Sequence, residues 1–355
     1  MRILCAGLAT VDLVQQVERF PGPDEKVQSA SVEVAAGGPA ANAAVTAAAL
    51  GADVTLVTAV GAHPLGDLIR ADLAAHGVTL IDVAPDDLEP PPVSAVTVLA
   101  GTGERTIVSR NAGNRAVGVP QGGLPEADLT LVDGHHPALA TAAARSARRL
   151  LVDAGSWRPV FAEIFPHAEV VACSADFRHP AATGPSDRAT AEAVAAPHVV
   201  VTHGANPVQW FSTASAPHTL GEAGASSAGV STADAARSGA STAEAGKSGA
   251  STAETDRPGA STAETDRPGA STADAGRSGA STADAGGSGV SASGAIDVPR
   301  VKAVDTAGAG DAFHGALAVA LARGDDLPTA IAYAISVAAT RVTHAGPRAW
   351  LAHLR

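Results

Sequence analysis

The residues most able to do chemistry form one run near the carboxyl end, Asp305-Thr306-Ala307-Gly308-Ala309-Gly310-Asp311-Ala312-Phe313. Small residues here follow a strand-like stretch, Val301–Val304, and lead into a helix predicted over 310–323. Gly308 and Gly310 let backbone N–H groups come close to an anion. The start of a helix adds a partial positive charge. The run is therefore an anion cradle. It is no Walker loop, because Gly-Lys-Ser/Thr does not follow. It is no dinucleotide fingerprint either, lacking the third glycine and lying at the wrong end of the chain. A carboxylate at Asp311 would repel a bound phosphate, so its presence calls for a task. A general base taking the proton of an attacking hydroxyl supplies one. The backbone of Gly308, Ala309 and Gly310 would then stabilise charge on a transferred phosphoryl group.

A second candidate lies near the amino end, in Gly37-Gly38-Pro39-Ala40-Ala41-Asn42. Two glycines admit a ligand against backbone, and Asn42 both donates and accepts hydrogen bonds. Asp12, after the first strand, can accept two hydroxyl hydrogens. Together these suit vicinal hydroxyl groups.

Both candidates need elements to hold them. Strands are expected at 2–7, 54–60, 129–132, 150–152, 169–172 and 198–202. Helices are expected at 39–50, 64–76, 138–149, 188–195, 310–323 and 327–343. Strand–helix alternation implies a parallel sheet covered on both faces. Two segments break it, 18–34 and the hairpin-like 93–110, and a small antiparallel sheet over a cleft is the reading for them. The 355 residues carry a net charge of −12, which argues against a basic nucleic-acid surface. Two cysteines cannot build a disulfide scaffold. No apolar run is long enough to span a bilayer. Met1–Val11 reads as a buried strand rather than an export signal, so a cytoplasmic location is expected.

Between Glu222 and Gly294 the composition changes. Ser-Thr-Ala recurs every ten residues from Ser231 to Ser281, and no Leu, Ile, Phe, Trp, Tyr or Met occurs. Such a segment cannot bury enough apolar surface to offset its ordering entropy, so 222–294 is expected to be a disordered insert. The division expected is thus one folded domain from 1–221 and 295–355, with its lid from about 12–36 and 93–112.

The two glycine motifs, in this order and with Gly51 and Gly61 between them, resemble the signatures of the ribokinase-like, or PfkB, carbohydrate kinases. The resemblance covers the chain outside the repeat. It implies a Rossmann-type three-layer α/β/α domain with a small β-sheet lid, and transfer of the ATP γ-phosphate to a sugar hydroxyl with Mg²⁺. By that resemblance Asp311 is the catalytic base and Ala307–Gly310 the anion hole. Asp12, Gly37, Gly38, Asn42 and Asp133 are sugar contacts. Thr202 and Gly204 form a nucleotide-side turn, with Val301, Val304, Thr343 and Gly346 near the adenine. Asp305 resembles a ligand for a monovalent cation such as K⁺. The family's Asn-x-x-Glu motif is missing, its place taken by Cys173-Ser174-Ala175-Asp176-Phe177, where Ser174 or Asp176 would meet Mg²⁺ through water. His203 reads as a surface or packing residue. A ketose branch is suggested by Gly101–Val108, and Arg110, Asn111, Arg115 and Arg178 are candidates to meet an anionic substituent. The resemblance also implies a homodimer through the lid. The alternatives are a non-catalytic sugar- or nucleotide-binding regulator on the same fold, and a nucleoside kinase.

Overall fold

A computed structural model describes residues 1–113, 115, 117–213 and 289–354. The expected disordered repeat lies outside the described residues for most of its length. The chain begins with β1 (Arg2–Ala6), β2 (Thr10–Val17), β3 (Ser31–Gly37), α1 (Pro39–Ala49), β4 (Asp53–Thr58), α2 (Pro64–Ala75) and β5 (Val78–Asp82). The lid hairpin β6 (Val93–Leu99) and β7 (Arg105–Ser109) follows. Then come β8 (Leu129–Val132), α3 (Pro137–Ser146), β9 (Leu150–Ala154), α4 (Phe161–Ile164), β10 (Val170–Ser174), α5 (Asp187–Val194), β11 (His198–His203) and β12 (Asn206–Thr213). The last elements are β13 (Val290–Ile296), α6 (Ala309–Arg323) and α7 (Leu327–Val342).

Nine of these strands form one sheet, ordered β13-β12-β11-β10-β9-β8-β1-β4-β5. The run from β11 to β5 is parallel, and β12 and β13 are antiparallel additions. Alternate residues feed opposite cores. Ile3 and Cys5 join α1, α2, α6 and α7 on one face, while Leu4 and Ala6 join α3, α4 and α5 on the other. Burial on both faces is why the strands read as continuous apolar runs. Both cysteines are buried and free, and burial pushes the Cys5 thiol up to about 12. The chain reverses its direction of travel between β1 and β8, and a crevice opens at the carboxyl ends of the strands at such a point.

The lid is a separate four-stranded sheet, ordered β3-β2-β6-β7; it is mixed rather than the antiparallel sheet expected, because β2 and β6 pair in parallel while β2–β3 and β6–β7 are antiparallel. Its inner face sets Val14, Val96 and Val98 against Ala307 of the loop that enters α6. At the hairpin tip, Thr306 Oγ1 donates to the Gly103 carbonyl at 2.8 Å, and Arg105 donates to Thr306 Oγ1 at 2.9 Å. The lid thus rests directly on the loop that was expected to hold an anion.

Beyond shifts of a residue or two at element ends, three segments differ from expectation. Val301–Val304 is not a strand; the Val304 N–H donates at 2.7 Å to the Val342 carbonyl at the end of α7. The third helix stops at Ser146, and Arg149 instead joins Glu169 at 2.6 and 2.7 Å and the Leu321 carbonyl. The expected insert runs too far, because β13 already begins at Val290 and pairs with β12. Gly294 lies opposite Trp210, and a Cβ there would fall 2.7 Å from the indole nitrogen. The small residues of β13 match the repeat in composition but serve to seat a tryptophan. Since β12 runs against the parallel strands, Thr213 comes to lie beside Pro197 at the amino-terminal rim of the sheet, with Val290 as its partner.

Deleting 222–288 is expected to leave the melting temperature nearly unchanged, because loop-closure entropy varies only logarithmically with length. Extending the deletion through Gly294 removes most of β13 and should lower it clearly. Thermal denaturation of the two deletions side by side checks this.

Candidate active site

The site is built where the amino ends of α1 and α6 meet at the carboxyl edge of the sheet. Gly315 of α6 touches α1 backbone on backbone: a Cβ at Gly315 would stand 2.5 Å from the Ala43 carbonyl oxygen. This approach brings Asn42 to Asp311. The Asn42 amide donates to Asp311 Oδ2 at 2.8 Å, and its carbonyl oxygen accepts from Arg348 at 3.1 Å. Arg348 is itself held by Asp72 at 2.8 Å and by the Ala36 carbonyl. Asn42 therefore serves at once as donor and acceptor within the protein, with one N–H and one lone pair left over.

The helix starts at Ala309, one residue before the expected 310. Gly308 adopts φ +69° as the residue before α6. The first bond within the helix is Ala312 N–H to the Gly308 carbonyl at 2.9 Å. A helix beginning here leaves the N–H groups of Gly310 and Asp311 without intrahelical acceptors. Asp311 stands on the first turn beside them. Burial, then the nearby Asp153 carboxylate, pushes its pKa up to about 6, against the Asn42 hydrogen bond and the His314 imidazole. Asp153 is paired with His314 Nδ1 at 3.0 Å, and both are buried. Burial opposes protonation of His314, but Asp153 outweighs it and raises the imidazole's pKa.

Asp12 lies across from this group. Thr10 Oγ1 donates to it at 2.6 Å, and burial raises its pKa. The Gly37 position leaves room for the Asp12 carboxylate, which a Cβ would meet at 2.0 Å. Gly38, at φ +90°, approaches the Leu8 carbonyl so closely that a Cβ would stand 2.6 Å from its oxygen. Asp12, Asn42, Gly308, Arg341 and Arg348 line one small cavity of about 30 Å³.

Asp133, expected as a sugar contact, is placed otherwise. It is 2 % exposed and accepts from the N–H groups of Leu8 at 2.8 Å, His135 at 2.9 Å and Ala40 at 3.3 Å. Burial works against its ionisation, but His135 and these donors hold its pKa well below the usual carboxylate range. It pins the β1–α1 connection to β8 rather than reaching the crevice. Of the expected nucleotide-side residues, Val304 meets Val342, next to Thr343 at the end of α7, while Thr202 and Gly204 lie at the β11–β12 turn. Gly346 is buried against Glu33 of lid strand β3, on the lid rather than beside an open nucleotide surface. His203 pairs with Asp187 at 2.8 Å.

Asp305 does not fit the expected role of cation ligand. Its Oδ1 accepts from the Ala307 N–H at 2.9 Å, and its Oδ2 is paired with Arg341 at 2.9 Å, both side chains being buried. In the segment that lacks Asn-x-x-Glu, Ser174 donates to the Gly155 carbonyl at 2.7 Å, and Asp176 is exposed. Phe177 enters an aromatic cluster with Trp157, Phe161 and Phe165. Of the candidate anion contacts, Arg115 is engaged by Asp87 and Arg178 by the Ala175 and Phe177 carbonyls. Arg110 and Asn111 line a cleft of about 1030 Å³ together with His135, Arg145 and Arg158. Arg348, Arg341 and the Asp153–His314 pair were not singled out by sequence reasoning. No short-range signal marks them: Arg348 meets a residue 306 positions away.

Comparison with known proteins agrees with this architecture. The pfkB family carbohydrate kinase model matches residues 1–232 and 274–353, and the chain belongs to that family. An ATP-dependent ribose-1-phosphate kinase of Halopiger xanaduensis is 31 % identical over 150 residues, 41 % of this chain and 50 % of that protein. A ketohexokinase of Mus musculus is 28 % identical over 107 residues, 30 % of this chain and 36 % of that one. The chain thus aligns with half or less of these relatives' lengths. Ribokinase structures share the fold. That from Giardia lamblia has a TM-score of 0.64 at 17 % identity, covering 99 % of this chain and 95 % of its own. That from Arabidopsis thaliana, complexed with ribose and ATP, has a TM-score of 0.59 at 17 % identity, covering 97 % and 93 %.

In the role of base that the sequence reading gives it, Asp311 must be ionised to act. The kcat/KM of the protein is expected to rise with pH through about 6 and then level off. Asp311→Asn should lower the rate by ~10²–10⁴-fold. Because the raised pKa makes ionisation of Asp311 cost stability above pH 6, the variant should melt no lower than the parent at pH 8. His314→Gln removes the cation opposing Asp153 and should move the acid limb to higher pH. An unmoved limb would remove His314 from the tuning of Asp311.

Proposed function

We propose that the protein transfers the γ-phosphoryl group of ATP to a hydroxyl of a sugar. The observation that carries this is Asp311, with its raised pKa, beside the unpaired N–H groups at the start of α6 and held there by Asn42. In this reading Asp12 and the Gly37-Gly38 backbone orient the sugar, and Asp311 takes the proton of the attacking hydroxyl. The α6 amides stabilise the charge of the transferring phosphoryl group. Val304, Thr343 and the Thr202–Gly204 turn remain the proposed nucleotide side. Among the described residues no three or more His, Cys, Asp or Glu side chains gather to hold a metal. That donor set suits a Mg²⁺ held mainly by phosphate oxygens and water, with Ser174 or Asp176 reached through water at most. When bound, the ion neutralises phosphate charge.

The acceptor in this reading carries an anionic group. The cleft starting at Gly134 and His135 is lined by Arg110, Arg145 and Arg158 against the single acid Glu163. A relative named for ribose 1-phosphate supports a phosphorylated pentose over a neutral ketose. A second reading, a sugar-binding regulator without turnover, draws on the missing Asn-x-x-Glu. A homodimer through the lid is supported by the exposed Val32, Val34, Ile107 and Val108 on its strands, and a cytoplasmic location remains part of the proposal.

ADP release from ATP and Mg²⁺ across neutral sugars, sugar phosphates and nucleosides tests the function. Turnover is expected on a sugar phosphate, with Arg110→Ala and Arg158→Ala raising KM more than they lower kcat. Faster turnover of a nucleoside or a neutral ketose would overturn the choice of acceptor. Binding without ADP release would favour the regulator.

A further inference from the structure

We propose that Arg341 is a built-in cation standing where a monovalent ion was expected, so that the anion loop keeps its shape without K⁺. Arg341 lies in the last turn of α7 and is 3 % exposed; Asp305 is 2 % exposed. The guanidinium donates to Asp305 Oδ2 at 2.9 Å, to the Asp305 carbonyl at 3.4 Å and to the His344 carbonyl at 3.1 Å. A carboxylate with backbone carbonyls is the oxygen set a monovalent cation would seek, and here one planar, permanently charged group gathers it. The other Asp305 oxygen accepts from Ala307 N–H, so both carboxylate oxygens are engaged and the charge is matched by Arg341. An added cation would find these oxygens engaged and a positive charge in contact with them.

The position also explains what the cation does. Asp305 holds the Ala307 N–H, and Arg341 holds Asp305, so the loop entering α6 is tied to the end of α7 and to His344. Arg341 Nε comes within 3.9 Å of where a Gly308 Cβ would be. Its charge therefore sits directly behind the left-handed turn that opens the anion cradle. Arg348, the neighbouring arginine of the same small cavity, is engaged elsewhere, by Asp72, Asn42 and the Ala36 carbonyl. The proposal rests on the kinase reading only for its effect on turnover; the cation geometry stands apart from it.

The test compares KCl, NaCl and tetramethylammonium chloride at one ionic strength, reading both the melting temperature of the ligand-free protein and ADP release. The parent protein is expected to melt equally in all three and to turn over equally in all three. Arg341→Ala should melt lower by roughly 10 °C, since it strands a buried carboxylate. It should recover part of that loss in KCl but not in tetramethylammonium chloride. A K⁺-specific rise in melting or turnover of the parent would overturn the proposal, as would an Arg341→Ala protein equal to the parent. Should the variant not fold, the parent's salt series still decides. Should no acceptor be phosphorylated, the melting series decides while the kinase reading fails on its own.

Discussion

Two helices that touch through bare backbone set the geometry on which the rest of the site depends. At Gly315 the distance between α1 and α6 is too short for any side chain. Ala40, Ala41, Ala43, Ala44 and Ala47 on α1, and Ala312, Ala316 and Ala320 on α6, are all buried. The alanine-rich composition, which adds little bulk to a core, thereby acquires a purpose: it lets the two helix starts converge. A larger residue at the contact would push α6 outward and part Asn42 from Asp311. Packing precision near the site thus comes from small residues, while bulk is supplied on the other face of the sheet by Phe161, Phe165 and Phe177.

The carboxylates around the site divide by how completely they are satisfied. Asp72 is held by Arg348, Asp305 by Arg341, and Asp133 by three backbone N–H groups. These anions shape loops. Asp12 and Asp311 have neutral hydrogen-bond partners, Thr10 and Asn42, and their pKa values are raised by burial. In the proposed function these two are the carboxylates that face a hydroxyl group. A carboxylate's function here follows from the partner it lacks.

Much of this was legible from residue type and order. The two glycine motifs place a turn before a helix, and that pattern is local. Strand alternation was equally legible because both faces are buried. Asp133 was misplaced because its proximity to the crevice is readable while its saturation by Leu8, Ala40 and His135 is a tertiary fact. The engagement of Asp305 is hidden from the sequence for the same reason, its partner Arg341 being 36 residues further along. The start of β13 escaped notice because Ser-Ala-Ser-Gly-Ala has the composition of the preceding repeat; only pairing with Trp210 distinguishes it.

The direction of β12 carries one more consequence. Because that strand runs back across the sheet, the chain leaves the described fold at Thr213 and returns at Gly289 on the rim opposite the loop that enters α6. Length added at this port enters the chain away from Asp12, Asn42 and Asp311 rather than between them. Selection on chemistry is blind to such growth, and a tandem repeat, which lengthens by copying itself, is the kind of sequence that would accumulate there.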